Sequence, residues 1–212
     1  AAQTAKRLRP IIPAAILAQF TGEMFAASHD LERFVEKTLL NSDSPLYNVD
    51  HDHLIGANIG YLWTNVLNTR QQKPIAATAE TPKPPQSGNA WAKAKWRCQM
   101  RDWFGANADE LDFLITIDAN YAEFASDLHF VALLDHELYH CVQKEDEFGA
   151  PKFTKDGSPV YTLVGHDVNE FIGVVRRYGA KAVVGGVEFV EAANSGPEID
   201  EIEIAAICGS CQ

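Results

Sequence analysis

The first third of the chain has apolar residues at three- and four-residue steps, which is the spacing of helices that bury one face. Residues 10–26 predict a first helix, and residues 29–40 predict a second helix with Ser28 as its N-cap. The same spacing predicts a third helix at 51–71. Two histidines at the start of this third stretch are interpreted as surface or capping residues: His51 and His53.

The pattern changes in the middle of the chain. Residues 78–89 are rich in proline, serine and glycine, which predicts a flexible linker or exposed loop. Apolar and basic residues then alternate through 92–101, and this period of two predicts a strand with one basic face. The β-forming residues of 111–118 predict a second, largely buried strand. Further along, residues 151–164 predict a hairpin with Asp-Gly in its turn, and residues 183–190 predict a short strand.

Between the second strand and the hairpin lies an apolar run with helical spacing. Its buried stripe would consist of four residues: Val131, Leu134, Leu138 and Val142. Ser126 or Asp127 occupies the position of its N-cap. On a neighbouring face of this predicted helix, His136 and His140 are four residues apart, so both side chains project in the same direction.

These elements predict an α+β protein with a small mixed sheet, and they divide the chain into four parts. Residues 1–77 would be a helical N-terminal region, and residues 78–89 would be the linker. Residues 90–190 would form the domain that carries the paired histidines. Residues 191–212 would be an acidic tail that contains a Cys-x-x-Cys motif.

Composition narrows the function classes further. The 212 residues carry a formal net charge of −11, and the isoelectric point of the sequence is about 5.0. This acidity argues against general binding to nucleic acid or to an anionic membrane. No apolar run approaches the roughly 20 residues of a membrane-spanning helix, and the N-terminus lacks a signal-peptide layout. We therefore expect a cytoplasmic location.

One local feature runs against the overall acidity of the chain. Trp91, Trp96 and Trp103 are interleaved with basic residues, and such a surface could bind single-stranded nucleic acid. We prefer the simpler interpretation, in which these residues form an exposed strand face on an otherwise acidic protein.

The four cysteines are few enough to suit a reducing compartment. Cys98 and Cys141 are isolated in the sequence and are expected to be small buried hydrophobic residues. Cys208 and Cys211 form the Cys-x-x-Cys motif, which could be a redox pair or half of a zinc knuckle. Because no partner motif lies beside them, a reduced, solvent-facing tail is the favoured interpretation.

The paired histidines form the motif H-E-x-x-H, whose residue types suit metal-assisted hydrolysis. His136 and His140 can bind one Zn²⁺ from one helix face, and Glu137 stands where it can act on a zinc-activated water. Zinc lowers the pKa of water bound to it, so Glu137 would take a proton from that water and later deliver it to the leaving amine. The alternative is an amphipathic helix with two surface histidines. The sequence favours one zinc ion per chain, with Glu137 as general base and acid.

A catalytic zinc site needs a third protein ligand and leaves one position open. The candidates are His166 and Glu170, four residues apart at the start of the next predicted helix, which Gly179 would end. His166 is preferred because imidazole is the common partner of two other histidines. Glu170 is the alternative third ligand, or else a group that hydrogen-bonds a ligand imidazole.

Two segments of the sequence together resemble the phage metallopeptidase family. They are His136-Glu-Leu-Tyr-His-Cys141 and, downstream, His166-Asp-Val-Asn-Glu-Phe171 with Arg176-Arg-Tyr-Gly179. The resemblance covers about residues 95–180. It implies a zincin-like fold with an H-E-x-x-H active-site helix, and zinc-dependent peptidase activity.

Two more distant resemblances concern the third ligand and the substrate. His166 at a helix start resembles the SprT-like metalloproteases, whereas the Asn169-Glu170 pair resembles gluzincins. In zincins, an edge strand above the active-site helix receives the substrate backbone. The predicted strand at 111–118 precedes the predicted helix in that same order.

Taken together, these features predict a zinc metallopeptidase, a hydrolase that acts on protein or peptide substrates in a bacterial or phage-infected cell. The alternative is a zinc-binding interaction or inhibitory protein of phage origin with little or no turnover. Glu137 favours the enzyme, since a pure binding protein has no need of it. Hydrolysis of a non-peptide amide at the same site is a third reading. The sequence does not specify the oligomeric state or the cleavage specificity.

Overall fold

The computed structural model of this protein describes residues 9–18, 22–70, 72–168, 175–176, 178–182 and 184–199. Contacts between residues divide the chain into two units, the first ending at Val164 and the second beginning at Gly165. Within the described residues, no helix is both long enough and apolar enough to cross a membrane.

The described secondary structure is named in chain order. The strands are β1 (Phe25–Ala27), β2 (Ile59–Thr64), β3 (Asn68–Arg70), β4 (Lys73–Ile75), β5 (Ala77–Glu80), β6 (Phe113–Asp118), β7 (Cys141–Gln143) and β8 (Tyr161–Leu163). The α-helices are α1 (Ala14–Leu17), α2 (His29–Thr38), α3 (Ala90–Phe104), α4 (Ala119–Phe124), α5 (Asp127–Tyr139) and α6 (Gly186–Ser195). Short 3-10 helices lie at Val49–Leu54, Gly105–Asp109 and Ala180–Ala182.

A four-stranded sheet with the order β1–β2–β6–β5 lies at the centre of the first unit. The two central strands, β2 and β6, run parallel, with Tyr61 opposite Ile115. The outer strands β1 and β5 are antiparallel to their neighbours. Two further antiparallel pairs, β3–β4 and β7–β8, stand apart from this sheet. The mixed sheet together with the helices confirms the α+β class.

Alternate residues of the two central strands point to opposite faces of the sheet. One set shares the larger buried cluster with residues of α2 and α5: Tyr61, Trp63, Ile115 and Ile117. The other set shares a smaller cluster with Met100 of α3: Leu62 and Leu114. Because both faces of the sheet are covered, the central strands are buried along almost their whole length.

This two-sided burial explains why the predicted helix at 51–71 is wrong. The structure has a 3-10 helix at Val49–Leu54, followed by strand β2. All six residues of β2 are buried, so the strand is a continuous apolar run without polar alternation. A run of that kind fits either a buried helix or a central strand, and periodicity alone does not separate the two.

The helical N-terminal region is also wrong as a whole, although one of its helices is confirmed. Helix α2 occupies most of the predicted stretch 29–40, and the Ser28 hydroxyl accepts a hydrogen bond from the Leu31 N–H at 3.2 Å. Among the described residues of the stretch 10–26, the one helix is the short α1, and the last two residues of the stretch begin strand β1. The described part of the first 77 residues therefore contributes strands β1 and β2 to the central sheet and is not a separate helical part.

The predicted strand at 92–101 is wrong, because these residues lie in helix α3. The alternating residues are mostly alanine, lysine and arginine, which are strong helix formers. The Asn89 side chain caps the helix by accepting a hydrogen bond from the Ala92 N–H at 3.0 Å. The helix packs on the sheet through residues at helical spacing: Trp96, Met100 and Trp103. Cys98 lies on the outer side of α3 and is exposed, in contrast to the prediction.

The predicted linker at 78–89 is only partly irregular, whereas the predicted strand at 111–118 is present. Strand β5 takes up the beginning of the linker, and the rest of that stretch is irregular up to α3. Strand β6 confirms the second prediction. However, β6 lies between β2 and β5, so it is a central strand and not the edge strand that a substrate backbone could join.

The last third of the chain confirms one predicted hairpin and corrects one strand. Phe153 pairs with Pro159 around a turn in which Gly157 has a φ of +88°, and this confirms the turn in 151–164. The stretch 183–190 contains the first half of helix α6, so the predicted strand is wrong, and the helix continues into the predicted acidic tail. The Cys-x-x-Cys motif at the C-terminus lies outside the described residues.

Candidate metal centre

Helix α5 carries the H-E-x-x-H motif and is held against the core along one side. Its N-cap is Ser126, whose hydroxyl accepts a hydrogen bond from the His129 N–H at 3.2 Å. Buried apolar residues line the core side of the helix: Phe130, Val131, Leu133, Leu134 and Leu138. Phe130 stacks on Trp63 of β2, with ring centroids 5.9 Å apart. This packing confirms the helix that the hydrophobic spacing predicts.

The two histidines of the motif are close neighbours at the end of α5. The ring centroids of His136 and His140 are 5.2 Å apart, and the ring planes meet at 74°. His136 is partly buried, whereas His140, the C-cap residue of the helix, is 2% exposed. Two imidazoles one helical turn apart are therefore available to one ion from the same face.

The backbone of Val164 holds the His140 ring in a defined orientation. His140 Nδ1 donates a hydrogen bond to the Val164 carbonyl oxygen at 2.7 Å, and the Val164 N–H donates to the His140 carbonyl at 2.9 Å. Because a carbonyl oxygen can only accept, the proton of the neutral ring is on Nδ1 and the lone pair is on Nε2. This is the tautomer in which Nε2 can bind a metal ion, with a backbone carbonyl as its outer partner.

His166, the third ligand that the sequence predicts, is an exposed residue at the beginning of the second unit. The pairing of β7 with β8, with Cys141 opposite Leu163, returns the chain to the end of α5. His166 is three residues beyond Leu163, the last residue of β8, so only a short piece of chain connects it to this strand pair.

Of the two carboxylates that the sequence proposes for the site, Glu137 is among the described residues and Glu170 is not. Glu137 lies on α5 between the two motif histidines in sequence, and its side chain is 0% exposed. Glutamate is rarely buried to this depth, which makes Glu137 a candidate functional residue. Glu170, the alternative third ligand, lies outside the described residues, so its role stays a prediction.

A second group of polar residues, which the sequence patterns did not indicate, lies on another face of α5. The sequence predicts that His51 is a surface or capping residue, but the structure shows it 0% exposed, with its Nε2 2.8 Å from Asp135 Oδ1. His53 was given the same interpretation, and its Nε2 donates a hydrogen bond to the Cys141 carbonyl at 2.8 Å. Both contacts join residues more than 80 positions apart, so no local pattern could reveal them.

Tyr139 belongs to this polar group as well. Its hydroxyl donates a hydrogen bond to Asp50 Oδ2 at 2.8 Å and accepts one from Asn48 Nδ2 at 3.0 Å. Burial and the neighbouring carboxylates raise the pKa of Tyr139 to about 12. The hydroxyl therefore stays protonated at neutral pH and remains a hydrogen-bond donor.

Cys141 follows the motif directly but does not resemble a metal ligand. Its side chain is buried, and Sγ contacts the Glu137 carbonyl oxygen at 3.5 Å. Burial, with a smaller contribution from the charge of Glu137, raises the pKa of the Cys141 thiol well above its usual range. The thiolate, which is the form that binds metals and reacts with electrophiles, is therefore disfavoured.

We expect Cys141 to resist alkylation in the folded protein at neutral pH, whereas the exposed Cys98 should react. The raised pKa of Cys141 keeps its thiol protonated until the pH is far above neutral. Peptide mass spectrometry after treatment with iodoacetamide measures the labelling of each cysteine. Both cysteines should react in the unfolded chain, which is the control. Rapid labelling of Cys141 in the folded protein would contradict its burial.

Comparison with known proteins places the chain in a family. The family described as "Putative phage metallopeptidase" matches residues 26–194, which is most of the chain. The chain belongs to this family, as the resemblance of its two motifs predicted. The match begins in strand β1 and ends in helix α6, so it includes both motif histidines and His166. No curated protein and no solved structure matches the chain.

Proposed function

We propose that this protein is a zinc-dependent metallopeptidase that hydrolyses peptide bonds. His136, His140 and His166 would bind one zinc ion per chain, and Glu137 would be the general base and acid. The observation that carries this proposal is the pair of motif imidazoles on one face of α5, with ring centroids 5.2 Å apart, in a motif that also supplies a buried glutamate. The family of the chain supports a metallopeptidase, and the zinc ion and the individual roles are our inference.

The donor set suits zinc in its catalytic form. Zinc prefers imidazole nitrogen among its ligands, and three protein ligands leave a fourth position for water or substrate. Because His140 Nδ1 donates a hydrogen bond to the Val164 carbonyl, Nε2 is the nitrogen that can bind zinc. This is the usual arrangement of a zinc-bound histidine. The three histidines therefore fit a catalytic zinc ion better than a structural one.

A bound zinc ion would supply Lewis acidity, which activates water and polarises the carbonyl group of a peptide bond. Glu137 would accept the proton of the attacking water and then pass this proton to the nitrogen of the leaving amine. No residue of the chain would form a covalent bond with the substrate. The Val164 carbonyl would keep the His140 ring in place through both steps.

The substrate would be a protein or peptide, and β5 is the strand best placed to bind its backbone. β5 is an edge strand of the central sheet, and helix α5 packs against it. An extended peptide could add to this edge through backbone hydrogen bonds. On this proposal the first unit has a zincin-like fold, in which β5 takes the role that the sequence assigned to residues 111–118.

An assay with a chelator tests the proposed function. The full chain should hydrolyse casein or members of a peptide library, lose this activity with 1,10-phenanthroline, and regain it with added zinc. Elemental analysis should find one zinc ion per chain. Zinc binding without hydrolysis of any substrate would instead support the alternative of a zinc-binding interaction or inhibitory protein. A protein that binds no zinc, even on titration, would refute both.

A further inference from the structure

The 3-10 helix at Val49–Leu54 is joined to α5 by hydrogen bonds to the residues that directly precede the two motif histidines. His51 Nε2 lies 2.8 Å from Asp135 Oδ1, and Asp135 precedes His136. A carboxylate accepts hydrogen bonds, so Nε2 of His51 is the donor. The His51 side chain is 0% exposed, whereas that of Asp135 is 28% exposed. The donor is thus buried, and its acceptor lies at the boundary with solvent.

Asn48 extends the same connection by one helical turn. Its Nδ2 donates to Asp135 Oδ1 and to the Tyr139 hydroxyl, both at 3.0 Å. Tyr139 precedes His140, and its ring meets the His51 ring edge-on with centroids 4.6 Å apart. Asp135 and Tyr139 are four residues apart and lie on one face of α5, just as His136 and His140 do.

The residue that follows the motif is joined to the same 3-10 helix. His53 Nε2 donates to the Cys141 carbonyl at 2.8 Å, and the Tyr161 hydroxyl of β8 donates to the His53 carbonyl at 3.3 Å. The segment from His51 to His53 therefore contacts the chain on both sides of the H-E-x-x-H motif.

These directional bonds restrict the rotation of α5 about its own axis. The core side of the helix is held by apolar contacts, which are not directional and tolerate small rotations. Hydrogen bonds lose strength quickly when their distance or angle changes. Consecutive helical residues differ by about 100° around the axis, so a fixed direction for residues 135 and 139 also fixes that of residues 136 and 140.

We propose that His51, acting through Asp135, is a positioning residue for the metal-binding face of α5. This inference rests on the proposed function, because it assumes that His136 and His140 bind a metal ion. His51 itself does not bind the ion or the substrate. It holds the backbone of the two ligands in the orientation that binding requires, and its loss would weaken metal binding even where the protein stays folded.

The variants His51→Gln and His51→Asn form a matched pair for the test. The amide nitrogen of glutamine lies about where Nε2 of histidine lies, so Gln can still donate to Asp135. The amide nitrogen of asparagine corresponds to Nδ1 and cannot reach Asp135. We expect His51→Asn to weaken zinc binding about ten- to a hundredfold, the range for an outer partner of a ligand, and His51→Gln to restore most of the affinity. Competition with a chromophoric chelator, on the full chain and below its unfolding temperature, measures the dissociation constant.

A second pair changes the acceptor, in case a variant at the buried position does not fold. Asp135→Asn keeps an oxygen that accepts from His51, whereas Asp135→Ala removes it. We expect Asp135→Ala to weaken zinc binding about as much as His51→Asn, and Asp135→Asn to weaken it less. In the double variant His51→Asn/Asp135→Ala the two losses should not add, because both remove the same bond.

Met100→Ala is the control for general loss of stability. Met100 is 2% exposed and lies in the smaller cluster on the opposite face of the sheet. This variant should lower the midpoint of thermal unfolding but leave the zinc dissociation constant unchanged. The proposal is overturned if Met100→Ala weakens zinc binding as much as His51→Asn does, or if both His51→Asn and Asp135→Ala bind zinc like the wild type. Failure of the wild type to bind zinc would instead refute the proposed function.

Discussion

Replacement of Glu137 by glutamine should lower the rate of peptide hydrolysis by about a hundred- to ten-thousandfold, the usual contribution of general acid–base catalysis. Glutamine has nearly the same shape as glutamate, so the packing around this 0% exposed side chain should persist. Its amide cannot accept a proton from water at neutral pH, and so the proposed proton carrier is lost. Zinc content and thermal stability should stay close to those of the wild type, because Glu137 is not proposed as a ligand.

The matched control is Glu36→Gln. Glu36 is an exposed residue of α2, so the same chemical change away from the motif should leave hydrolysis unaffected. Two results would contradict the assigned role of Glu137. Loss of zinc from Glu137→Gln would make the carboxylate a ligand, and full activity of that variant would require another general base.

The second large effect is expected from removal of His166, which should lower the affinity for zinc. The binding free energy of a four-ligand zinc site is about 10–16 kcal/mol, or roughly 2.5–4 kcal/mol per ligand. Since 1.4 kcal/mol corresponds to a factor of ten, His166→Ala should weaken zinc binding by about a hundred- to a thousandfold. His129→Ala is the control, because His129 is a partly buried histidine in the first turn of α5, outside the motif, and its ring contacts the Ser126 hydroxyl. It should bind zinc like the wild type.

The variant Glu170→Gln separates the two candidates for the third ligand. If His166 is the ligand, Glu170→Gln should weaken zinc binding only about ten- to a hundredfold, as for a group that hydrogen-bonds a ligand. The reverse order of the two effects would assign the third position to Glu170. His166 would then be a candidate for stabilising the negative charge that develops on the substrate carbonyl oxygen.

The H-E-x-x-H motif could be recognised in the sequence because it lies within one helix and the residue that caps it. His136 and His140 are four residues apart, which places both on one face of an α-helix, and Glu137 lies between them in sequence. The structure confirms that a helix with a buried apolar side forms there. Its cap at Ser126 is likewise a local interaction that the sequence shows directly. Strand β6, α2 and the turn at Gly157 were predicted for the same reason.

The elements that were predicted wrongly are those for which local preference and tertiary environment differ. β2 is a continuous apolar run because helices cover both faces of its sheet, and its neighbours in that sheet, β1 and β6, come from distant parts of the chain. In α3 the alternation of alanine with lysine and arginine looked like a strand. The positions that pack on the sheet, such as Met100, follow a helical period instead.

The sequence by itself determined the residue types of the site, the helix that presents two of them, and the family of the chain. Only the tertiary structure decided what surrounds that helix. The pairing of β7 with β8 sets the Val164 carbonyl against His140, and the packing of the Val49–Leu54 segment buries His51 against Asp135. Such contacts join residues 24 and 84 positions apart. They arise from the packing of whole elements, which no local periodicity in the chain encodes.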